Sequence, residues 1–168
     1  MPQPYPPKVA LVTGGSSGIG KAICEQLARK GHTVFGTSRK AVGQAQGFRL
    51  IAMHLGDDAS VKNAVSEVIR IAGRIDVLVN NAGLVIGVDK EFEGSLDEWD
   101  IMIDTNIRGL LAMTRLVVPG MVERGRGHII NIGSIAGDAA YPGGSVYCAT
   151  KAAVKALSDG LRIDLVDT

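Results

Sequence analysis

Short apolar runs alternate along this chain with segments whose apolar residues recur every three or four positions, and glycines punctuate the joins. Alternation of this kind predicts strands and helices taking turns in an α/β domain. Val9 to Thr13 reads as a buried parallel strand that runs into a glycine cluster. A helix follows, with Ile19, Ile23 and Leu27 on its inward face and Gly31 at its end. Thr33 to Thr37 predicts a second strand. Phe48 to Met53 predicts a third, after an irregular stretch of about ten residues that is short for a helical crossover.

Val61, Ala64, Val65, Val68, Ile69 and Ala72 recur at helical spacing up to Gly73, and Ile75 to Asn80 reads as a fourth strand. Trp99, Ile103, Ile107 and Leu110 mark a long helix that Pro119 should end or bend. His128 to Ile132 makes a fifth strand. From about Ser145 a last helix carries Val154, Leu157 and Leu161 inward. The expected fold is a doubly wound parallel sheet, whose ligands bind beyond the carboxyl ends of the strands.

Composition changes this picture little. The 168 residues suit one domain, with a loose proline-rich tail over residues 1–7 and the folded unit over 8–168. Eighteen basic against seventeen acidic residues leave no electrostatic footprint for nucleic acid. The best apolar stretch is broken by Arg115 and Pro119, so no membrane span is expected. Cys24 and Cys148 belong to no metal-spaced cluster and read as reduced thiols of a cytoplasmic protein.

The chemistry begins at Thr13-Gly-Gly-Ser-Ser-Gly-Ile-Gly20, between the first strand and the first helix. There, backbone amides and the helix dipole can hold a pyrophosphate. Gly14 would permit the turn, Gly18 would let phosphates approach the backbone, and Gly20 would let the helix pack on the sheet. About 20 residues on, an acid commonly binds the ribose hydroxyl of an unphosphorylated dinucleotide. Here that place reads Ser38-Arg39-Lys40. A guanidinium grips a 2′-phosphate that a carboxylate would repel, so NADP(H) is expected in preference to NAD(H).

Tyr147 and Lys151 lie four residues apart, about one helical turn, and so share a helix face. A cation beside a phenol favours the phenolate, so the pair suits general acid and base work near neutral pH.

With Asn80-Asn-Ala-Gly83 after the fourth strand, Ser134 after the fifth, and the Tyr147 and Lys151 pair, the chain resembles the short-chain dehydrogenase/reductase superfamily from about residue 8 onward. Its glycine spacing is similar to that of the branch of oxidoreductases about 250 residues long, and unlike that of the sugar-nucleotide epimerases. The resemblance implies a Rossmann fold with about five of the usual seven strands present. It implies hydride transfer between NADP(H) and a small carbonyl or secondary alcohol, with Tyr147 as the acid and base.

By the same resemblance Ser134 polarises the carbonyl, and Ser134 and Tyr147 meet the substrate. Lys151 binds the nicotinamide ribose, and Asn106 holds a water that links the lysine to solvent. Cofactor contacts fall to Gly14, Ser16, Ser17, Gly18, Ile19, Gly20, Ser38, Arg39, Leu55, Asn81, Ala82 and Gly83, together with Tyr147 and Lys151. Gly137 to Gly144 would form one wall of the substrate pocket. A homodimer or homotetramer is implied as well.

Two departures from the family pattern stand out. His54, followed by Leu55, occupies the place after the third strand where relatives carry an acid for the adenine. Ser17 stands where many NADP-preferring relatives have a base. The family also has two further strands, a Pro-Gly turn and a helical flap, and the sequence stops at Thr168 before them. A noncatalytic dinucleotide-binding fragment is therefore the alternative expectation.

Overall fold

The structure is a computed structural model in which residues 6–40 and 42–168 are described. The expected tail over residues 1–7 lies mostly outside the described residues. Only Pro6 and Pro7 of it are described, both exposed and outside any element.

The elements in chain order are β1 (Val9–Val12), α1 (Gly18–Arg29), β2 (Thr33–Ser38), β3 (Gly43–Gln44), β4 (Arg49–Ala52), α2 (Asp58–Ala72) and β5 (Val77–Asn80). They continue with α3 (Leu96–Ile103), a π-helical turn (Asp104–Arg108), α4 (Gly109–Glu123), β6 (His128–Asn131), a 3-10 turn (Ile135–Gly137) and α5 (Ser145–Asp164). Six strands pair in the order β3-β4-β2-β1-β5-β6. All pairings are parallel except β3 with β4. This is the doubly wound sheet the sequence predicts.

β1 lies at the centre of the sheet, and all four of its residues are buried. Alternate side chains of a strand point to opposite faces, so β1 feeds two cores. Leu11 packs with Phe35, Leu78, Val61, Val65, Val68, Met113 and Val117 under α2 and α4. Ala10 and Val12 pack with Cys24, Val34 and Val79 under α1, where Ile23 and Leu27 close the edge. Fully burying a residue such as Leu11 or Leu78 contributes about 1.5–3 kcal/mol.

Helix ends follow their punctuation. Asp57 caps α2, its Oδ1 accepting from the N–H groups of Ala59 (2.9 Å) and Ser60 (3.2 Å). Gly73 terminates α2 in the left-handed conformation at φ 76°.

Several local expectations are corrected. Ile19 is 66% exposed and does not join the core. The buried stripe of α1 is centred on Gly20 and Cys24, and Ile19 is rotated about 100° from Gly20. The irregular stretch after β2 contains β3, a two-residue antiparallel strand too short to leave a period-two signal. Pro119 does not end α4, which continues to Glu123. Both Pro119 and Arg115, whose carbonyl it frees, lie on the exposed side, where water can satisfy that carbonyl. The long helix continues from α3 into α4 through the π-helical turn, and Ile103 is exposed. Leu157 and Leu161 reach only half-buried positions, whereas Val154 is buried.

At the amino ends of the strands Asp76 acts as a staple. Its Oδ2 accepts from the Val9 N–H at 2.8 Å, and the Arg74 Nε lies 2.9 Å from Oδ1. Burial alone would raise this carboxyl, but the Val9 N–H and the Arg74 guanidinium outweigh it and hold the group below the ordinary aspartate value. No described helix is long and apolar enough to cross a membrane.

Candidate active site

The carboxyl ends of β1, β2, β5 and β6 bring the sequence-predicted residues to one end of the sheet. Gly14 and Gly18 have φ of 69° and 53°, a region that disfavours other residues. Gly20 faces the turn so closely that a Cβ there would lie 2.2 Å from the Gly14 carbonyl oxygen and 2.4 Å from Asn81 Nδ2. Gly15 is as confined, with a Cβ meeting the Gly36 Cα at 2.6 Å and the Cys24 Sγ at 2.9 Å. Burial pushes the Cys24 thiol up to about 12, which suits packing and not nucleophilic chemistry.

Unlike α2, α1 has no side-chain cap. Ser17 stands in the capping position but makes no capping hydrogen bond. The first intrahelical bond runs from the Lys21 N–H to the Ser17 carbonyl at 3.1 Å, so among the described residues the amides of Gly18, Ile19 and Gly20 meet no acceptor. Uncapped amides at an exposed helix start, behind a turn that excludes side chains, fit the pyrophosphate of a dinucleotide.

Thr13 fixes the opposite wall. Its Oγ1 accepts from the N–H groups of Asn81 (3.0 Å) and Ala82 (2.9 Å), while Asn81 Nδ2 returns a hydrogen bond to the Thr13 carbonyl at 2.9 Å. Asn81, Ala82 and Gly14 are thereby locked side by side. Ser38 is buried and its Oγ accepts from the Lys40 N–H at 3.1 Å, holding the turn that presents Arg39. Arg39 itself is exposed beyond the end of β2. Leu55, half-buried after β4, packs against Gly109, where a Cβ would meet the Leu55 Cβ at 2.9 Å. His54 is exposed, and its N–H donates to Ser60 Oγ at 2.9 Å.

Tyr147 and Lys151 lie in the first turns of α5, and here the structure refines the expectation. The Lys151 ammonium is 6.0 Å from the centre of the Tyr147 ring and donates to the Ile132 carbonyl at 2.9 Å. Lys151 is buried, and desolvation lowers its pKa below the ordinary lysine value. A Cβ placed on Gly83 would lie 3.4 Å from Lys151 Nζ and 3.2 Å from Asn106 Oδ1, so that glycine leaves room for both side chains.

Asn106 lies in the π-helical turn, fully within the fold. Its Oδ1 accepts from the Leu84 N–H (2.9 Å), and its Nδ2 donates to the Leu84 carbonyl (2.9 Å) and to Thr150 Oγ1 (3.1 Å). Both amide hydrogens are spent. Asn106 therefore clamps the segment after β5 to α5 through its side chain, which has no hydrogen left to give a water. Ser134 Oγ accepts from the Ala136 N–H at 3.1 Å, capping the 3-10 turn. Among the described residues its own hydroxyl hydrogen meets no acceptor, so it can point at a substrate oxygen.

The predicted wall from Gly137 to Gly144 lies against the opposite loop. A Cβ on Gly143 would meet the Val88 carbonyl oxygen at 2.1 Å, and a shallow cleft lined by Val85, Trp99, Met102, Gly143 and Tyr147 runs between them. A cavity of about 620 Å³ lies elsewhere. It runs along the free edge of β6 between the ends of α4 and α5 and contains none of the predicted site residues. The polar geometry at the strand ends marks the site, not that volume.

The sequence assigns no role to the Thr13 side chain, to Thr150 or to the Ile132 carbonyl, all of which hold the site together in the structure. Only burial alongside polar partners distinguishes the two threonines.

Comparison with known proteins decides the family. The sequence model of the short chain dehydrogenase family matches residues 8–168. The chain belongs to that family of oxidoreductases. It is 44% identical over 167 residues to the NADP-dependent 3-hydroxy acid dehydrogenase YdfG of Salmonella typhi, covering 95% of this chain and 67% of that protein. The NADP-dependent 3-hydroxy acid dehydrogenase of Schizosaccharomyces pombe is 36% identical and is likewise covered over 67% of its length. Among solved structures, the closed form of serine dehydrogenase complexed with NADP+ superposes with a TM-score of 0.89 at 40% identity. That match covers 95% of this chain and 67% of the other. Serine dehydrogenase from Escherichia coli superposes with a TM-score of 0.85, also at 40% identity, over 93% of this chain and 75% of that one.

Proposed function

We propose that this dehydrogenase moves a hydride between NADP(H) and a carbonyl compound or its secondary alcohol, with Tyr147 supplying and recovering the proton. The observation that carries the proposal is the convergence at one sheet end of a glycine-built turn with spare helix amides and the Ser134, Tyr147 and Lys151 groups. The uncapped amides of Gly18, Ile19 and Gly20 would hold the pyrophosphate, with Gly14, Ser16 and Ser17 around it. Asn81, Ala82 and Gly83 would border the adenosine side with Leu55. Bound there, NADPH supplies the hydride.

The chain's residues do the rest. Ser134 O–H donates to the carbonyl oxygen and polarises it, so the carbon accepts the hydride more readily. Tyr147 O–H gives its proton to the same oxygen as negative charge develops there, and the product is the neutral alcohol. In the reverse direction the phenolate takes the hydroxyl proton. Lys151, hydrogen-bonded to the Ile132 carbonyl, would as an ammonium stabilise the phenolate and hold the nicotinamide ribose. Asn106 keeps α5 and the Leu84 segment at the distance this requires.

NADP(H) is preferred because Arg39 follows buried Ser38 at the end of β2 and extends into solvent as a cation. The NADP dependence named for the YdfG relatives and the NADP+ complex of serine dehydrogenase support this reading. Arg39→Asp should weaken NADPH by about tenfold or more while leaving NADH within about threefold, measured by fluorescence titration. An unchanged preference would refute the role. For the chemistry, Tyr147→Phe should lower turnover by about 10²- to 10⁴-fold with NADPH binding intact. Full turnover in that variant would overturn the assignment of Tyr147.

The substrate is a small molecule. Assembly as a homodimer or homotetramer and a cytoplasmic location complete the proposal, with exposed Leu111 and Leu116 on α4 favouring a partner there. Sedimentation velocity that returned only a monomer at micromolar concentration would remove the assembly.

A further inference from the structure

A chain of polar side chains crosses the sheet beneath the site and takes no part in the chemistry above. Asn80 Nδ2 at the end of β5 donates to Asn131 Oδ1 at the end of β6, at 2.9 Å. Asn131 Nδ2 in turn donates to Ser158 Oγ on α5, also at 2.9 Å. Ser158 spends its own hydrogen on the Val154 carbonyl at 2.7 Å, so its oxygen is the acceptor that Asn131 needs. The three bonds run in one direction, from β5 through β6 to α5, and Asn80 Oδ1 is buried with no partner among the described residues.

Its position gives it a use. Residues 147, 151, 154 and 158 follow one another at four, three and four residues, a single stripe along α5. Lys151 and Val154 on that stripe are buried. The strand end that gives Asn131 to Ser158 also gives the next carbonyl, that of Ile132, to the Lys151 ammonium. Two neighbouring residues of the sheet therefore grip α5 at points seven residues apart, about 10 Å along the helix axis. Asn106 also holds α5 through Thr150, and the two grips from the sheet together set the rotation and advance of the face that carries Lys151. At the other end, Asn80 precedes Asn81, whose side chain is tied to Thr13 beside the glycine turn.

We propose that Asn131 is a positioning residue: through Ser158 it sets the register of α5 and so fixes the Lys151 ammonium on the Ile132 carbonyl, with Asn80 holding the Asn131 amide in the required orientation. The proposal rests on the reading of Tyr147 and Lys151 as the working pair. Its test includes a readout that does not depend on turnover.

With lysine labelled by ¹⁵N at Nζ, a hydrogen-bonded ammonium gives an NMR signal protected from water exchange, assigned by its loss in Lys151→Met. In Asn131→Ala and in Ser158→Ala that signal should broaden or shift toward the solvent-exposed lysines. Turnover should fall on the order of 10- to 100-fold while the KM for NADPH changes less than about twofold. The double variant should be no worse than either single, because the two side chains act as one contact. Ser158→Thr, which keeps the hydroxyl, should restore both signal and turnover.

An unshifted Lys151 signal in Asn131→Ala would overturn the proposal, and so would additive losses in the double variant. If the unsubstituted chain turned over no carbonyl compound, the signal would still test the register. The failure of the catalytic reading would then be seen separately.

Discussion

At the β1–α1 turn, the atoms nearest the site are backbone, and their positions are set by the room that glycines leave. Gly20 sits 2.2 Å from the Gly14 carbonyl oxygen by its would-be Cβ, and Gly15 sits 2.6 Å from Gly36 by its own. At α5 the opposite holds: the groups nearest the site are the tips of long or rotatable side chains, held by Asn106, the Ile132 carbonyl and the Asn131 to Ser158 bond. One half is positioned by exclusion and the other by tethers. The two should fail differently, since a backbone contact has no room to relax and a tether can be lost singly.

The sharpest contrast lies within the turn itself. In Gly20→Ala the new methyl meets a carbonyl and an amide that is itself bound to the Thr13 carbonyl, so neither can retreat cheaply. A loss of about 3 kcal/mol or more is expected. In Gly18→Ala nothing lies within 4 Å of the methyl, and only the positive φ of 53° is paid for, at about 1 kcal/mol. Chemical denaturation of the two variants checks this. Equal losses would mean that the turn is not set by exclusion.

On the tethered side, Asn106→Ala removes three hydrogen bonds and leaves the Leu84 N–H and carbonyl without their partners. About 2 kcal/mol of stability should go, together with a large part of turnover, while NADPH affinity changes little. A variant that lost cofactor affinity and turnover in the same proportion would show that the two halves are not separately built.

What was legible in the sequence divides along the same line. Exclusion and positive φ leave a mark in the sequence itself, because close contact disfavours any side chain at Gly20 and the backbone conformation favours glycine at Gly14 and Gly18, and a strand before and a helix after complete the pattern. The alternation of strands and helices, and with it the doubly wound sheet, is legible from short apolar runs and helical spacings, whereas the strand order is seen only in the structure. Tethers leave no such mark. Four-residue spacing places Tyr147 and Lys151 on one face, yet a lysine stem has several rotatable bonds, and its acceptor proved to be a carbonyl nineteen residues away in sequence.

The π-helical turn around Asn106 was equally hidden. One extra residue in a helical turn does not alter an apolar pattern enough to be seen. Ile19 was misplaced for a related reason. It is apolar and near helical phase with Ile23, but the helix packs on the side of Gly20, a residue with no side chain to announce its face. β3 escaped because two residues carry no period.

Asp76 tests whether a tether away from the site behaves as stability alone. It binds the start of β1 to the start of β5, at the strand ends opposite the glycine turn. Its folded-state pKa lies below the ordinary value, because the Val9 N–H and Arg74 overcome the effect of burial. A carboxylate with a depressed folded pKa binds fewer protons folded than unfolded near pH 4. Its contribution is therefore full above about pH 4 and is lost as the pH falls through the folded value. Asp76→Asn should cost about 1.5 kcal/mol at pH 7, and the gap to the unsubstituted protein should narrow below about pH 4. Turnover per folded molecule should stay within about twofold, because no strand end at the site moves. A gap that stayed constant from pH 7 to pH 3 would show that the charge of Asp76 contributes nothing. A collapse of turnover would show that the two ends of the sheet are coupled.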